Sequence, residues 1–184
     1  PTPVCGLKIF DDHNPSVLDF VLQEQSIKKI ILYRQNYLAV YSSERIAEIE
    51  NRYLIVGNEK ASPGADAYAS SRSARQAIFD EGQFLRLWHK YQNHYRNSIN
   101  VLNESGQEYL FYTYEDFINE DLFRRVFPFL GVSQPSALLS RMRKTNSSDI
   151  LSRFSNRDEV DSFLSRIGRD SWRHESFMLW NAKN

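Results

Sequence analysis

The segment Lys28–Ala47 reads KKIILYRQNYLAVYSSERIA and contains a strand pattern, an arginine and a helix pattern in succession. Its apolar run Ile30–Tyr33 is typical of a buried strand in a parallel sheet, although four apolar residues also fit a helix. Beyond Asn36 the apolar residues recur at helical spacing, and Asn36 itself is a good helix N-cap. Anions bind at the carboxyl ends of parallel strands, where helix N-termini present free N–H groups. We therefore expect Arg34 to lie in an anion-binding position, with the Ser42 hydroxyl as a further contact.

The rest of the chain repeats this alternation of short apolar runs and helical patterns, which predicts an α/β fold with a mainly parallel sheet. Strands are predicted at 4–10, 28–33 and 108–114. Helices are predicted from Ser16 to about Gln25, from Asn36 to about Glu50, from Asp80 to a stop at Gly106, from 118 to 130 and from 160 to 167. The region 57–75 is rich in small and polar residues and is predicted to be a long loop.

The amino-acid composition limits the classes of protein to which this chain can belong. The chain has 184 residues, of which 41% are hydrophobic, so we expect a single globular domain over 1–184. Its 23 basic and 23 acidic side chains balance, which argues against a general nucleic-acid coat or a polybasic membrane binder. Cys5 is the only cysteine, so no disulfide framework or thiolate metal cluster is expected within the chain, and a reducing compartment such as the cytoplasm is favoured. No apolar run approaches the ~20 residues that span a bilayer.

Two stretches carry a family resemblance. Arg34, Asn36 and Ser42 have the spacing of the 3′-phosphate-binding segment of sulfotransferases that use 3′-phosphoadenosine-5′-phosphosulfate (PAPS). The passage 113–132, TYEDFINEDLFRRVFPFLGV, resembles the family segment that runs from a strand through Tyr-Glu-Asp-Leu into a helix ending in Phe-Leu-Gly-Val. A looser similarity continues into the region 141–159.

The resemblance implies a three-layer sandwich of the P-loop nucleoside triphosphate hydrolase-like class and transfer of a sulfuryl group from PAPS to an acceptor hydroxyl or amine. Arg34, Asn36 and Ser42 would bind the donor, with adenosine 3′,5′-bisphosphate as product and no metal. Arg141 and Lys144, with their neighbour Arg143, would supply a further cation for the nucleotide, although such a basic cluster is equally typical of a solvated face. The acceptor would be a small molecule, a carbohydrate, a lipid or a protein tyrosine, with no nucleic acid involved.

The resemblance also implies catalytic roles for two residues near the start of the chain. Lys8 resembles the family lysine that contacts the transferring group, and His13 is the best candidate for the base. Cytosolic members of the family have Lys-x-His, whereas Lys8 and His13 are separated by four residues that include Asp11 and Asp12. An ordinary turn histidine is the competing interpretation of His13.

One element of the family pattern is missing. The loop of the type Pro-Arg-Ser-Gly-Thr-Thr that wraps the 5′-phosphosulfate does not occur in this sequence, and neither does a Walker loop. We expect it to lie upstream of Pro1, so that the domain would be N-terminally incomplete. Two alternatives stay open: a nucleotide kinase-like enzyme of the same fold class, and a degenerate sulfotransferase that binds a partner without catalysis.

Overall fold

The computed structural model describes residues 4–10, 13–50, 76–115, 120–133 and 146–175. These residues form two compact units. The first contains 4–10, 13–35, 85–115 and 120–133, and the second contains 36–50, 76–84 and 146–175. The predicted loop at 57–75 lies outside the described residues.

Helices and strands alternate along the described part of the chain. In order, the elements are α1 (Pro15–Gln23), β1 (Lys29–Tyr33), α2 (Tyr37–Glu50), α3 (Glu81–Glu104), β2 (Tyr109–Thr113), α4 (Glu120–Leu130) and α5 (Arg157–Arg166). Two 3-10 turns, Leu151–Arg153 and Asp170–Arg173, flank α5.

The sheet of the first unit consists of β1 and β2, which pair in parallel with Lys29 opposite Tyr109 and Tyr33 opposite Thr113. The strands predicted at 28–33 and 108–114 are confirmed, and so is their parallel relation. Parallel pairing requires a long crossover between the strands, and α2 and α3 both lie within it. The described residues therefore show mixed helix and strand structure with a two-stranded parallel sheet.

Helices flank both faces of this sheet. On one face Leu110 and Tyr112 are buried against Val126 and Phe129 of α4, together with Leu32. On the opposite face the Tyr33 ring contacts Tyr91 and Tyr95 of α3, with ring centroids 5.4 and 5.1 Å apart. Successive strand residues point to opposite faces, so the alternation of Leu32 and Tyr33 directs one side chain to each helix.

The predicted strand at 4–10 is wrong. This segment has no regular secondary structure, and its apolar side chains are exposed: Val4 by 55%, Leu7 by 73% and Phe10 by 47%. A strand needs a partner backbone for its N–H and C=O groups, and the described sheet contains only β1 and β2. Apolar composition alone therefore did not make this segment a strand.

Capping side chains account for most helix starts. The Asn36 Oδ1 accepts a hydrogen bond from the Ala39 N–H (3.2 Å), which confirms the predicted cap of α2. Asp80 Oδ1 accepts from the Gln83 N–H (2.6 Å) at the start of α3, again as predicted. The first helix is capped by Asn14 rather than by Ser16, because Pro15 occupies the first helical position and starts α1 before Ser16.

Glycines end two helices, as predicted. Gly106 and Gly131 have φ angles of 64° and 72°, a left-handed conformation that other residues adopt at a cost. Asn156 occupies the N-cap position of α5, the helix predicted from 160 to 167. However, α5 begins at Arg157 rather than near Val160. The Asn156 amide makes no cap hydrogen bond to the helix N–H groups: it binds the main chain of Phe79 and donates to the Glu159 carboxylate.

Aromatic rings fill the core of the second unit. Phe84, at the start of α3, is fully buried and lies 5.4 Å from the Tyr41 ring and 5.3 Å from the Phe163 ring, centroid to centroid. Phe79 and Phe154 complete the cluster. Phe84 therefore joins the start of α3 to the core of the second unit.

Glu24, at the C-terminus of α1, offers a test of pH dependence. Its Oε1 accepts hydrogen bonds from the hydroxyl (2.6 Å) and the N–H (3.0 Å) of Ser26, which lower the pKa of Glu24. We expect Ser26→Ala to raise the pKa of Glu24 toward its ordinary value, measured by NMR titration of its carboxyl carbon. A depressed carboxyl pKa stabilises the folded state above the unfolded-state pKa, and this contribution is lost as the pH falls through the folded-state pKa. The contribution of these hydrogen bonds to the difference in stability between Ser26→Ala and the wild type should therefore vanish at low pH. An unchanged Glu24 pKa in Ser26→Ala would show that the Ser26 hydroxyl does not lower it.

Candidate anion site at the carboxyl edge of the sheet

Arg34 follows β1 directly and lies at its carboxyl end, as predicted. Its guanidinium carbon is 4.4 Å from the centroid of the Tyr114 ring, and Tyr114 is the first residue after β2. The Tyr114 N–H donates to the Tyr33 carbonyl (2.6 Å), which extends the parallel pairing to this point. Because the strands are parallel, Arg34 and Tyr114 share one edge of the sheet, the edge at which open α/β sheets bind ligands.

Two tyrosines of α3 hold the backbone where β1 ends. The Tyr91 hydroxyl accepts a hydrogen bond from the Arg34 N–H (2.9 Å) and donates to the Arg34 carbonyl (3.3 Å). The Tyr95 hydroxyl donates to the Leu32 carbonyl (2.8 Å). The main chain that carries Arg34 is therefore fixed by side-chain contacts from a helix as well as by the sheet.

Burial and neighbouring groups act in opposite directions on the charge of Arg34. Burial lowers the pKa of Arg34, whereas Tyr114, Glu115 and Tyr91 act in the opposite direction. Since the ordinary pKa of an arginine lies far above neutral pH, the guanidinium stays charged near neutral pH. Burial also raises the pKa of Tyr91 well above its ordinary value, so its hydroxyl keeps the proton that it donates. The edge presents a charged, partly buried guanidinium of the kind that binds phosphate or sulfate groups in a two-pronged fashion.

Ser42 and Asn36 belong to the second unit and make intramolecular contacts there. The Ser42 hydroxyl is fully buried, donates to the Ala39 carbonyl (3.2 Å) and accepts from the Arg153 guanidinium (2.9 Å). The Asn36 amide is also buried, and its Nδ2 donates to the carbonyls of Trp172 (3.2 Å) and His174 (3.4 Å). Direct contact of Ser42 with a nucleotide would require its hydroxyl to leave these partners.

Arg153 is a buried cation that sequence reasoning missed. Its guanidinium donates to the Ser147 carbonyl, to Ser42 and to the carboxylate of Glu175, and the Arg153 and Glu175 side chains are only 2% and 7% exposed. The one available signal was its position among the apolar residues Ile150, Leu151 and Phe154, which are all buried. The basic residues singled out instead, Arg141, Arg143 and Lys144, lie outside the described residues.

Lys8 and His13 both lie beside the ring of Phe10. The Lys8 Nζ is 4.4 Å from the centroid of the Phe10 ring, and the His13 ring meets the same ring edge-on with centroids 4.9 Å apart. The His13 N–H donates to the Phe10 carbonyl (3.2 Å), which closes the turn between them. The structure thus brings the two predicted catalytic residues to one exposed aromatic side chain, while the intervening Asp11 and Asp12 lie outside the described residues.

Metal clusters and membrane-spanning helices are both absent from the described ranges. There, no group of three or more His, Cys, Asp or Glu side chains is placed to hold a metal ion. None of the described helices combines the length and the apolar character needed to cross a membrane.

Comparisons with known proteins give no family assignment. No family model matches the sequence, and neither a curated protein nor a solved structure matches the chain significantly. Conclusions about function therefore depend on the residues and their arrangement.

Proposed function

We propose that this protein is a PAPS-dependent sulfotransferase, which transfers a sulfuryl group to an acceptor hydroxyl or amine. The observation that carries the proposal is the Arg34 guanidinium, held on the Tyr114 ring at the carboxyl edge of a parallel sheet. The resemblance of Arg34, Asn36 and Ser42, and of the passage 113–132, to sulfotransferase segments supports the same conclusion. The helices on both faces of the sheet support a sandwich of the P-loop-like class.

Arg34 would bind the 3′-phosphate of the donor. A phosphate monoester carries about two negative charges near neutral pH, and a planar guanidinium pairs with two of its oxygens at once. Stacking on Tyr114 restricts the plane of the guanidinium before the ligand arrives, so less conformational freedom is lost on binding. One arginine leaves a dianion only partly neutralised, and Arg141 and Lys144 are our candidates for the second cation.

Transfer would proceed in line. The acceptor oxygen or nitrogen forms a bond to sulfur while the bond between sulfur and the 5′-phosphate oxygen breaks, and adenosine 3′,5′-bisphosphate leaves with that bonding pair. His13 would take the acceptor proton, and Lys8 would stabilise the charge that develops on the transferring and leaving oxygens. Both groups contact the ring of Phe10, which supports a shared role for them.

If Arg34 binds the donor, its replacement should lower the affinity for adenosine 3′,5′-bisphosphate, whereas replacement of a remote arginine should not. We expect Arg34→Ala to weaken binding of adenosine 3′,5′-bisphosphate about tenfold to a hundredfold, since a charge-assisted hydrogen bond is worth about 1.5–3 kcal/mol. Isothermal titration calorimetry on the full-length protein measures this change. Arg166→Ala is the matched control, because the Arg166 guanidinium is exposed and pairs with Glu81 in the second unit.

A second nucleotide tests whether Arg34 binds the 3′-phosphate in particular. Adenosine 5′-monophosphate lacks the 3′-phosphate, so Arg34→Ala should leave its affinity nearly unchanged while abolishing the preference for the bisphosphate. Equal losses for both nucleotides would count against 3′-phosphate binding by Arg34. Failure of the wild-type protein to bind the bisphosphate, or to transfer radiolabelled sulfate from PAPS to any acceptor, would overturn the proposal as a whole.

A further inference from the structure

Arg34 is contacted by tyrosines from two different elements of the first unit. Tyr91 of α3 binds both main-chain polar groups of Arg34, and Tyr114, after β2, lies under its guanidinium. We propose that Tyr91 and Tyr114 are positioning residues that aim the Arg34 guanidinium at an anion. That the anion is the 3′-phosphate of the donor rests on the proposed function.

Tyr91 acts on the main chain. One hydroxyl that accepts from the N–H and donates to the C=O of the same residue occupies both groups and restrains the dihedral angles of Arg34. The Tyr91 ring is itself held, with its centroid 4.8 Å from that of Tyr95 and 5.4 Å from that of Tyr33. Because burial raises the pKa of the Tyr91 hydroxyl, its two hydrogen bonds to Arg34 do not change with pH near neutrality.

Tyr114 acts on the side chain. Its backbone is fixed by the hydrogen bond to Tyr33, and its ring lies 4.4 Å from the guanidinium carbon of Arg34. A guanidinium held against an aromatic face gains cation–π attraction while the N–H groups at its rim still point outward in the plane. The Tyr91 contact thus restrains the backbone of Arg34, and the Tyr114 contact restrains the orientation of its guanidinium.

Two test variants, each with a conservative control, distinguish a positioning role of these tyrosines from a role in general packing. Tyr91→Phe removes the hydroxyl and keeps the ring, and Tyr109→Phe is its control because that tyrosine hydroxyl of the first unit binds the Asn103 side chain instead. Tyr114→Leu removes the aromatic face, and Tyr114→Phe retains it. We expect affinity for adenosine 3′,5′-bisphosphate to fall about threefold to tenfold in Tyr91→Phe and at least threefold in Tyr114→Leu, with both controls near wild type.

The Arg34 side chain supplies a second readout that needs no ligand. Its Nε–H signal in the NMR spectrum of the full-length protein, assigned by its loss in Arg34→Lys, is displaced by the ring current of Tyr114. We expect this signal to move in Tyr91→Phe and in Tyr114→Leu and to stay in place in the two control variants. A purely structural role for Tyr91 would change the melting temperature without this selective movement.

Each outcome decides one of the two proposals. If wild-type protein binds no bisphosphate, the sulfotransferase proposal fails, and the Arg34 signal still decides the positioning inference. An Arg34 signal that is unmoved in Tyr91→Phe and Tyr114→Leu overturns the inference, as do equal affinity losses in test and control variants. Failure of Tyr91→Phe to fold would make Tyr91 essential to the fold and overturn its positioning role, and the Tyr114→Leu and Tyr114→Phe pair would then decide the role of Tyr114 alone.

Discussion

Replacing Arg153 with methionine is expected to lower the free energy of unfolding by about 3–5 kcal/mol, since the change breaks a buried ion pair from one side. The Arg153 and Glu175 side chains are 2% and 7% exposed, so methionine would deprive a buried carboxylate of this guanidinium. The Ser42 hydroxyl and the Ser147 carbonyl would lose their contacts with Arg153 as well. Chemical denaturation followed by circular dichroism measures the change.

Two comparisons make the Arg153 result specific. Arg166→Ala breaks an ion pair with Glu81 in which the Arg166 side chain is 58% exposed and the Glu81 side chain 46% exposed. This change should lower the free energy of unfolding by no more than about 1 kcal/mol. The double variant Arg153→Met with Glu175→Leu should be less destabilised than the sum of the single changes, because no charge of the pair remains buried. An Arg153→Met variant as stable as Arg166→Ala would refute the buried network.

Replacing Phe84 with alanine is the second large effect that we expect, again about 3–5 kcal/mol of lost stability. The Phe84 ring is fully buried and contacts five other aromatic rings of the second unit: Tyr37, Tyr41, Phe79, Phe163 and Trp172. Alanine would leave a cavity lined by rigid rings, which cannot collapse to fill it.

The same denaturation experiment with Phe20→Ala provides the control for Phe84. Phe20 lies on α1 and is 60% exposed, so its truncation removes little buried surface and should change stability by well under 1 kcal/mol. Comparable losses for the two variants would show that Phe84 does not occupy the centre of a packed core.

Local features of the sequence determined the secondary structure wherever neighbouring residues supply the physical cause. Asn36 and Asp80 start helices because their side chains accept hydrogen bonds from N–H groups three residues away, and Gly106 ends a helix because it adopts a left-handed conformation freely. The runs at 28–33 and 108–114 became β1 and β2 because each is rich in β-prone apolar residues that pack against helices, although Ile30 and Phe111 stay exposed. Arg34 was placed correctly for the same reason, since its position follows from the end of β1.

Tertiary structure alone decided which polar side chains are buried and with what partners. Nothing next to Arg153 in the sequence specifies an ion pair with Glu175, and no local pattern brings Tyr91 to the main chain of Arg34. The segment 4–10 has an apolar composition much like that of β1, yet it is not a strand, because strand formation depends on a partner backbone that composition does not supply. Caps and turns depend on contacts a few residues apart, whereas burial, pairing and site geometry depend on contacts between distant residues, which only the folded chain brings together.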